Sequence, residues 1–177
     1  MKSTTFNLAQ AFLAMYPAAV FDADFRCTYQ DGEFELTVLN AAMPFNPTPE
    51  QVALLLLSAA QAAKWQAIKA DRDRRTQAGG YQVGAKWYHS DTFSRTQQMG
   101  LVMLGANIPA GVQWKTMDGT FVAMTQALAG QIFGAAAASD IAVFAAAETH
   151  KAAMEASADP AAYDFSAGWP AIFGEQQ

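Results

Sequence analysis

Apolar positions recur at helical spacing over about Phe6 to Met15, where Phe6, Ala9, Phe12 and Leu13 or Tyr16 fall on one face and Pro17 closes the segment. The period then changes to two. Phe25 to Gln30 and Glu33 to Leu39 read as strands, and in the second Phe34, Leu36 and Val38 alternate with Glu33, Glu35 and Thr37, so the glutamates face outward. Asp31-Gly32 between them predicts a tight hairpin, whose turn needs positive φ at both central residues. Met43-Pro44-Phe45-Asn46-Pro47 is a joint, because two prolines forbid both helix and central strand. Residues 1–46 are therefore expected to form a small unit of one helix and one hairpin, and residues 47–177 a second, helical domain.

The second domain opens on Thr48-Pro49-Glu50-Gln51, with Thr48 as N-cap, Pro49 in the first turn and Gln51 placed to complete a capping box. The helix should run to about Ala78, where Gly79-Gly80 stops it, and at about 1.5 Å per residue it spans roughly 40 to 45 Å. Val52 and Leu54 to Leu57 make its first half apolar on nearly every side. Lys64, Lys69, Asp71, Arg72, Asp73 and Arg74 make its second half polar, so burial is expected at the first end and exposure at the other.

An extended pair over Tyr81 to Tyr88 comes next, then a helix over about Thr92 to Gly105 that Ser90 or Asp91 can cap, then a loop by composition over 105–111. A second hairpin fits Val112 to Met117 and Thr120 to Met124 around Asp118-Gly119. Its flanks differ from those of the first, so the two are not a repeat. Thr125 caps a last long helix reaching about Ala156, on which Gly130, Gly134 and Ala138 stand four apart and form a small-residue stripe suited to a tight helix-helix seam. From Asp159 onward Tyr163, Phe165, Trp169, Ile172 and Phe173 follow no period, and such an aromatic tail must dock on something to be ordered. The fold class is α+β: two long helices plus shorter helices with small antiparallel hairpins.

Composition narrows the classes of function. Apolar residues make up 52% of the chain and charged ones 15%, which places it on the globular side of the disorder boundary, although alanine inflates the apolar share and buries little area. The net charge of -5 offers no positive field for phosphates. The one basic cluster, Arg72, Arg74 and Arg75, alternates with Asp71 and Asp73 and reads as a solvated face with local ion pairs, so nucleic acid is not an expected partner. Cys27 is the single cysteine and forms no internal disulfide. The first residues lack a signal-peptide pattern, and Ala127 to Ala147 is interrupted by Gln131, Ser139 and Asp140, so neither export nor membrane insertion is expected.

Candidate chemistry is sparse. His89 and His150 stand far apart, with no carboxylate or cysteine at metal-ligand spacing, so no metal and no cofactor is expected. Ser90 or Ser94 with His89 and Asp91 is a run of sequence neighbours, whereas triads draw their members from separate segments; Ser90 and Asp91 read as caps. Glu33 and Glu35 share a strand face with nothing apolar between them to raise a pKa, and Gly79, Gly80 and Gly84 match no phosphate-binding fingerprint. No catalytic residue is assigned. Of the tryptophans, Trp87 and Trp114 lie in strands and are expected in the core, while Trp65 and Trp169 are candidates for partner contact. The partner-interface candidates are Trp65, Gly130, Gly134, Ala138, Tyr163, Phe165, Trp169 and Phe173.

The stretch Ala63-Lys64-Trp65 through Asp71-Arg72-Asp73-Arg74-Arg75, then Gly80-Tyr81-Gln82-Val83-Gly84-Ala85-Lys86-Trp87-Tyr88-His89-Ser90-Asp91 and Ser94-Arg95-Thr96-Gln97-Gln98, resembles an uncharacterised domain, family 4376, found in many phage tail-fibre and tail-assembly proteins. Trp114-Lys115-Thr116-Met117-Asp118-Gly119-Thr120-Phe121-Val122 and the Ala-rich helix ending His150-Lys151-Ala152-Ala153-Met154 extend the likeness over roughly the last two thirds of the chain. The front, Tyr16-Pro17-Ala18-Ala19-Val20 with Asp24-Phe25 and the Asp31-Gly32 hairpin, is similar to small defective-prophage tail proteins. It departs from them at Phe21-Asp22-Ala23 and in lacking a tryptophan at the end of the second strand. The resemblance implies a non-enzymatic virion protein of the tail-fibre or baseplate region. Such a protein is made in the host cytoplasm and contacts other tail or fibre proteins, as a homo-oligomer with a trimer favoured. Its alternatives are a tail-fibre assembly chaperone that binds the fibre transiently and, with no acid in a pocket to support it, a cell-wall hydrolase accessory domain.

Overall fold

The computed structural model describes residues 1–175. The architecture is α+β, with long helices and strands paired in three separate antiparallel sheets. The chain divides into two compact units, Met1–Lys64 with Ala158–Ala161, and Trp65–Ser157 with the chain from Ala162 onward.

In the first unit β1 (Lys2–Ser3), β2 (Phe25–Gln30) and β3 (Glu33–Val38) form a sheet in the order β1-β3-β2. Asp31 and Gly32 take φ of 55° and 80°, the two positive values that the hairpin turn requires. β1 was not foreseen, since two residues carry no period; the Met1 amino group donates to Leu36 O at 2.8 Å and the Leu36 N–H donates to Met1 O at 2.8 Å. The first helix, α1 (Leu8–Met15), starts later than its periodicity suggested, because Asn7 Oδ1 accepts from the N–H groups of Ala9 and Gln10 and sets the N-terminus there. Its inward face is accordingly Leu8, Ala11 and Phe12, with Leu13 turned out. Phe12 lies 4.7 Å from the Phe25 ring and 5.2 Å from Phe45, so Phe45, which directly follows the first of the two joint prolines, fills the core rather than merely connecting.

The second helix, α2 (Pro49–Ala78), begins on the expected capping box: the Thr48 N–H donates to Gln51 Oε1 at 2.8 Å and the Gln51 N–H to Thr48 Oγ1 at 3.4 Å. Its burial differs from the expectation. Val52 is buried in the first core, but Leu54 is 64% exposed and Leu57 also faces solvent, while Ile68 and Arg75 in the polar half are buried. Four consecutive leucines wrap around a helix, and a helix buries only the stripe that meets its neighbours. The boundary between the two units falls inside α2.

The second unit contains β4 (Tyr81–Val83) and β5 (Lys86–Tyr88), joined by a two-residue turn with Gly84 at φ 60°, then α3 (Thr92–Leu104), β6 (Gln113–Lys115), β7 (Phe121–Ala123) and α4 (Gln126–Glu155). Asp91 caps α3 and Thr125 caps α4. The β6-β7 connection is not the two-residue turn expected. Only Gly119 takes positive φ, 84°, and the Thr116 N–H donates to Thr120 O at 2.8 Å, closing a three-residue loop of Met117, Asp118 and Gly119. Ala129, Ile132, Val143, Ala147, His150 and Met154 form the buried stripe of α4. Ala129 and Ile132 pack with Tyr81, Tyr88 and Met124; Ala147 and Met154 pack with Ile68. At the end of α2, a Cβ on Gly79 would stand 2.5 Å from Ile172 Cγ2, and the Phe173 N–H donates to Gly79 O at 2.8 Å, so only glycine lets the tail lie this close.

Candidate interaction surfaces

Helix α4 has a second apolar stripe that its own unit leaves open. Gly130, Phe133, Ala137, Ile141 and Phe144 recur at spacings of three and four, about a third of a turn away from the buried stripe. Phe133, Ile141 and Phe144 are 51%, 72% and 48% exposed. Gly130 and Gly134 would have no atom within 4 Å of an added Cβ, and Ala138 is exposed beside them. Arg72 lays its guanidinium over the Phe144 ring at 4.6 Å and covers one end. By length and composition α4 is long and apolar enough to cross a membrane, and 22% of its most apolar window is buried.

The aromatic tail docks on helices of its own unit. Tyr163, Phe165 and Trp169 are half-buried against Ile68, Ala147 and Met154, beside Trp65. They surround His150, whose Nδ1 lies 3.0 Å from the Tyr163 hydroxyl and whose ring is 4.9 Å from Trp169. Trp169 Nε1 donates to Phe165 O at 2.7 Å, and Arg75 stacks over its ring at 5.1 Å while bonding Asp71 and Glu175. Trp65 carries Lys69 and Lys151 over its ring, at 5.7 and 5.4 Å. Phe173 is at the surface, 6.3 Å from Trp87.

Two polar centres hold the surface elements in place. Arg95 grips Asp140 with two bonds of 2.7 and 2.9 Å and also donates to Ser90 O and Thr76 O, joining α3, α4 and the end of α2. Lys86 on β5 bonds Asp118 at 2.7 Å in the β6-β7 loop, and that carboxylate also accepts from Thr116 and Thr120. Its bond with Lys86, then the loop donors, hold the Asp118 carboxyl well below the usual carboxylate range. A depressed pKa stabilises the fold above the ordinary value of about 3.9 and the gain is lost as pH falls through the folded-state value. An Asp118→Asn variant should therefore melt lower than the unaltered chain at pH 7, and the difference should narrow on acidification below about pH 4 in thermal denaturation curves.

Between α3 and β6 lies an open groove of about 840 Å³, walled on the helix side by Phe93, Gln97, Leu101 and Leu104. Phe93 is 72% exposed and Leu104 and Phe121 also face solvent. Trp114 packs at the edge of the Tyr81 core, as a strand tryptophan should, but its Nε1 is buried with no acceptor among the described residues.

The residues weighed as catalytic have structural work. The Ser90 hydroxyl accepts from the Gly80 N–H at 2.9 Å, Ser94 bonds Asp91 as part of the helix cap, and Lys2 sits beside Glu33 and Glu35 at 3.2 and 3.9 Å. Burial pushes the Cys27 thiol up, away from thiolate. Among the described residues no group of three His, Cys, Asp or Glu side chains is placed to hold a metal. Neither the groove nor the Arg95-Asp140 clamp is legible in the sequence; the groove's linear signal is Phe93, Leu101 and Leu104 sharing a face with Gln97 on one helix.

The fold and these surfaces define an α+β protein with an Ala-rich long helix, three small antiparallel sheets among the described residues, and broad open apolar faces. The chain belongs to the family described as Domain of unknown function (DUF4376), whose model matches residues 59–167. Among curated proteins and among solved structures no significant match is found.

Proposed function

We propose that this chain is a non-enzymatic structural protein of a bacteriophage tail, in the tail-fibre or baseplate region, that attaches or organises fibres through contacts with other tail proteins. The observation that carries the reading is the second stripe of α4, where small residues at Gly130, Gly134 and Ala138 stand beside exposed Phe133 and Ile141. Small residues let another backbone approach, and adjacent large apolar ones supply the area to bury. The occupant is another copy of the chain, in a homo-oligomer with a trimer favoured, rather than lipid: Asp140 lies on the same helix, clamped by Arg95, and charge on a spanning helix is costly. The tail assignment rests on the resemblance of the Trp65–Arg75, Gly80–Asp91 and Trp114–Val122 segments to tail-associated domains.

Quantitative mass spectrometry of purified particles checks this. A tail subunit is present in fixed stoichiometry, in multiples of the oligomer. A chain abundant in lysate but absent from particles would overturn the structural role and favour the transient assembly chaperone.

A further inference from the structure

We propose that the groove between α3 and β6 receives an extended, acidic and apolar segment of a partner protein, which adds to the open edge of β6 as a third strand. The inference rests on the reading that this chain works through protein contacts, but not on the partner being a tail protein.

The groove is lined by four consecutive residues, Val112, Gln113, Trp114 and Lys115. Successive side chains of a strand point to opposite faces, so a cavity touched by all four runs along the strand's edge rather than over one face. The hydrogen-bond pattern agrees. The Met124 N–H donates to Val112 O and the Thr116 N–H to Thr120 O, both at 2.8 Å, so even-numbered residues of β6 bond β7 and Gln113 and Lys115 turn their N–H and C=O groups to the other side. The sheet has two strands, and among the described residues that side is unpaired at Gln113 and Lys115, ending where the next outward N–H, of Met117, donates to Trp87 O on β5 at 2.9 Å. An incoming strand there satisfies these groups, and its alternate side chains reach Phe93, Leu101 and Leu104 on the facing helix.

Charge selects the occupant. The chain as a whole carries 16 acidic and 11 basic residues, yet the one charged residue lining this groove is the basic Lys115. Lys115 has no ion-pair partner among the described residues. A segment alternating Glu with Phe, Leu or Val places carboxylates toward Lys115 and apolar side chains against the helix wall.

The test uses the full chain and a pool of fluorescein-labelled heptapeptides that alternate Glu with Phe, Leu, Ile or Val, read by fluorescence polarisation. Binding is expected, weakened about tenfold or more by Lys115→Glu and lost when Lys replaces Glu in the peptides. Gln113→Pro removes an outward N–H and obstructs strand addition, yet leaves the β7 ladder intact. It is expected to abolish binding while leaving the thermal midpoint nearly unchanged; should it unfold the hairpin, backbone N-methylated peptides make the same test from the ligand side. No binding across the pool at millimolar chain, or binding indifferent to both Gln113→Pro and peptide N-methylation, overturns the proposal. Neither result bears on the particle mass spectrometry, so this site and the tail assignment fail separately.

Discussion

An Ile141→Glu variant is expected to remain a monomer in sedimentation or light scattering at concentrations where the unaltered chain associates, with self-affinity reduced about a hundredfold or more. Ile141 is 72% exposed, so the substitution removes little packing within the chain and the fold should survive, with an unchanged circular dichroism spectrum. The effect on association is large because Ile141 stands on the same open stripe as Gly130, Phe133 and Ala137, and a carboxylate at the centre of a dry helix seam would be buried without a partner. Gly134→Leu acts on the same surface through shape: with nothing within 4 Å of the added Cβ, the monomer tolerates it while a close helix approach does not. A chain that is monomeric at high concentration before any substitution would sink the homo-oligomer reading.

The second large effect is on stability. Arg95→Ala is expected to cost about 3 kcal/mol and lower the melting temperature by roughly 10 °C. The arginine is 29% exposed and Asp140 33%, so the pair is partly shielded from water. Removing the guanidinium strips one carboxylate and two carbonyl oxygens, Ser90 O and Thr76 O, of their donors at once, and takes the cation from the Tyr81 face 5.5 Å away. Asp140→Ala leaves the carbonyl bonds in place and should cost less. A double-mutant cycle between the two should show coupling of about 1 kcal/mol or more, whereas strict additivity would mean that the clamp is a surface ornament.

Much of the local structure was legible because it is set by short-range rules. Asp31-Gly32 specifies its turn through backbone sterics, and Thr48 with Gln51 builds a reciprocal cap from residues three apart. The two long helices were visible because neither proline nor glycine interrupts Glu50 to Ala78, and because only the tolerated glycines Gly130 and Gly134 interrupt the Ala-rich run of α4. Legibility stopped where the answer depended on a distant residue. Leu13 and Leu54 are as apolar as Leu8 and Val52, yet the first pair faces water and the second pair is buried. The second Asp-Gly looked like the first, but the Thr116-Thr120 pairing lengthened its loop and left Asp118 to bond Lys86, 32 residues away.

The sequence by itself determined most of the elements, several of their caps and their two hydrophobic periods, since each depends on residues within one or two turns of one another, and its summed charge of -5 ruled out a strong positive field. Tertiary structure alone decided which of the two stripes of α4 is covered, that the rings of the tail gather around His150, and that β6 keeps an open edge opposite α3. Those outcomes rest on segments tens of residues apart meeting in space. A stripe of apolar residues states that something must cover it, and only the packed chain shows which stripes it has left for another molecule.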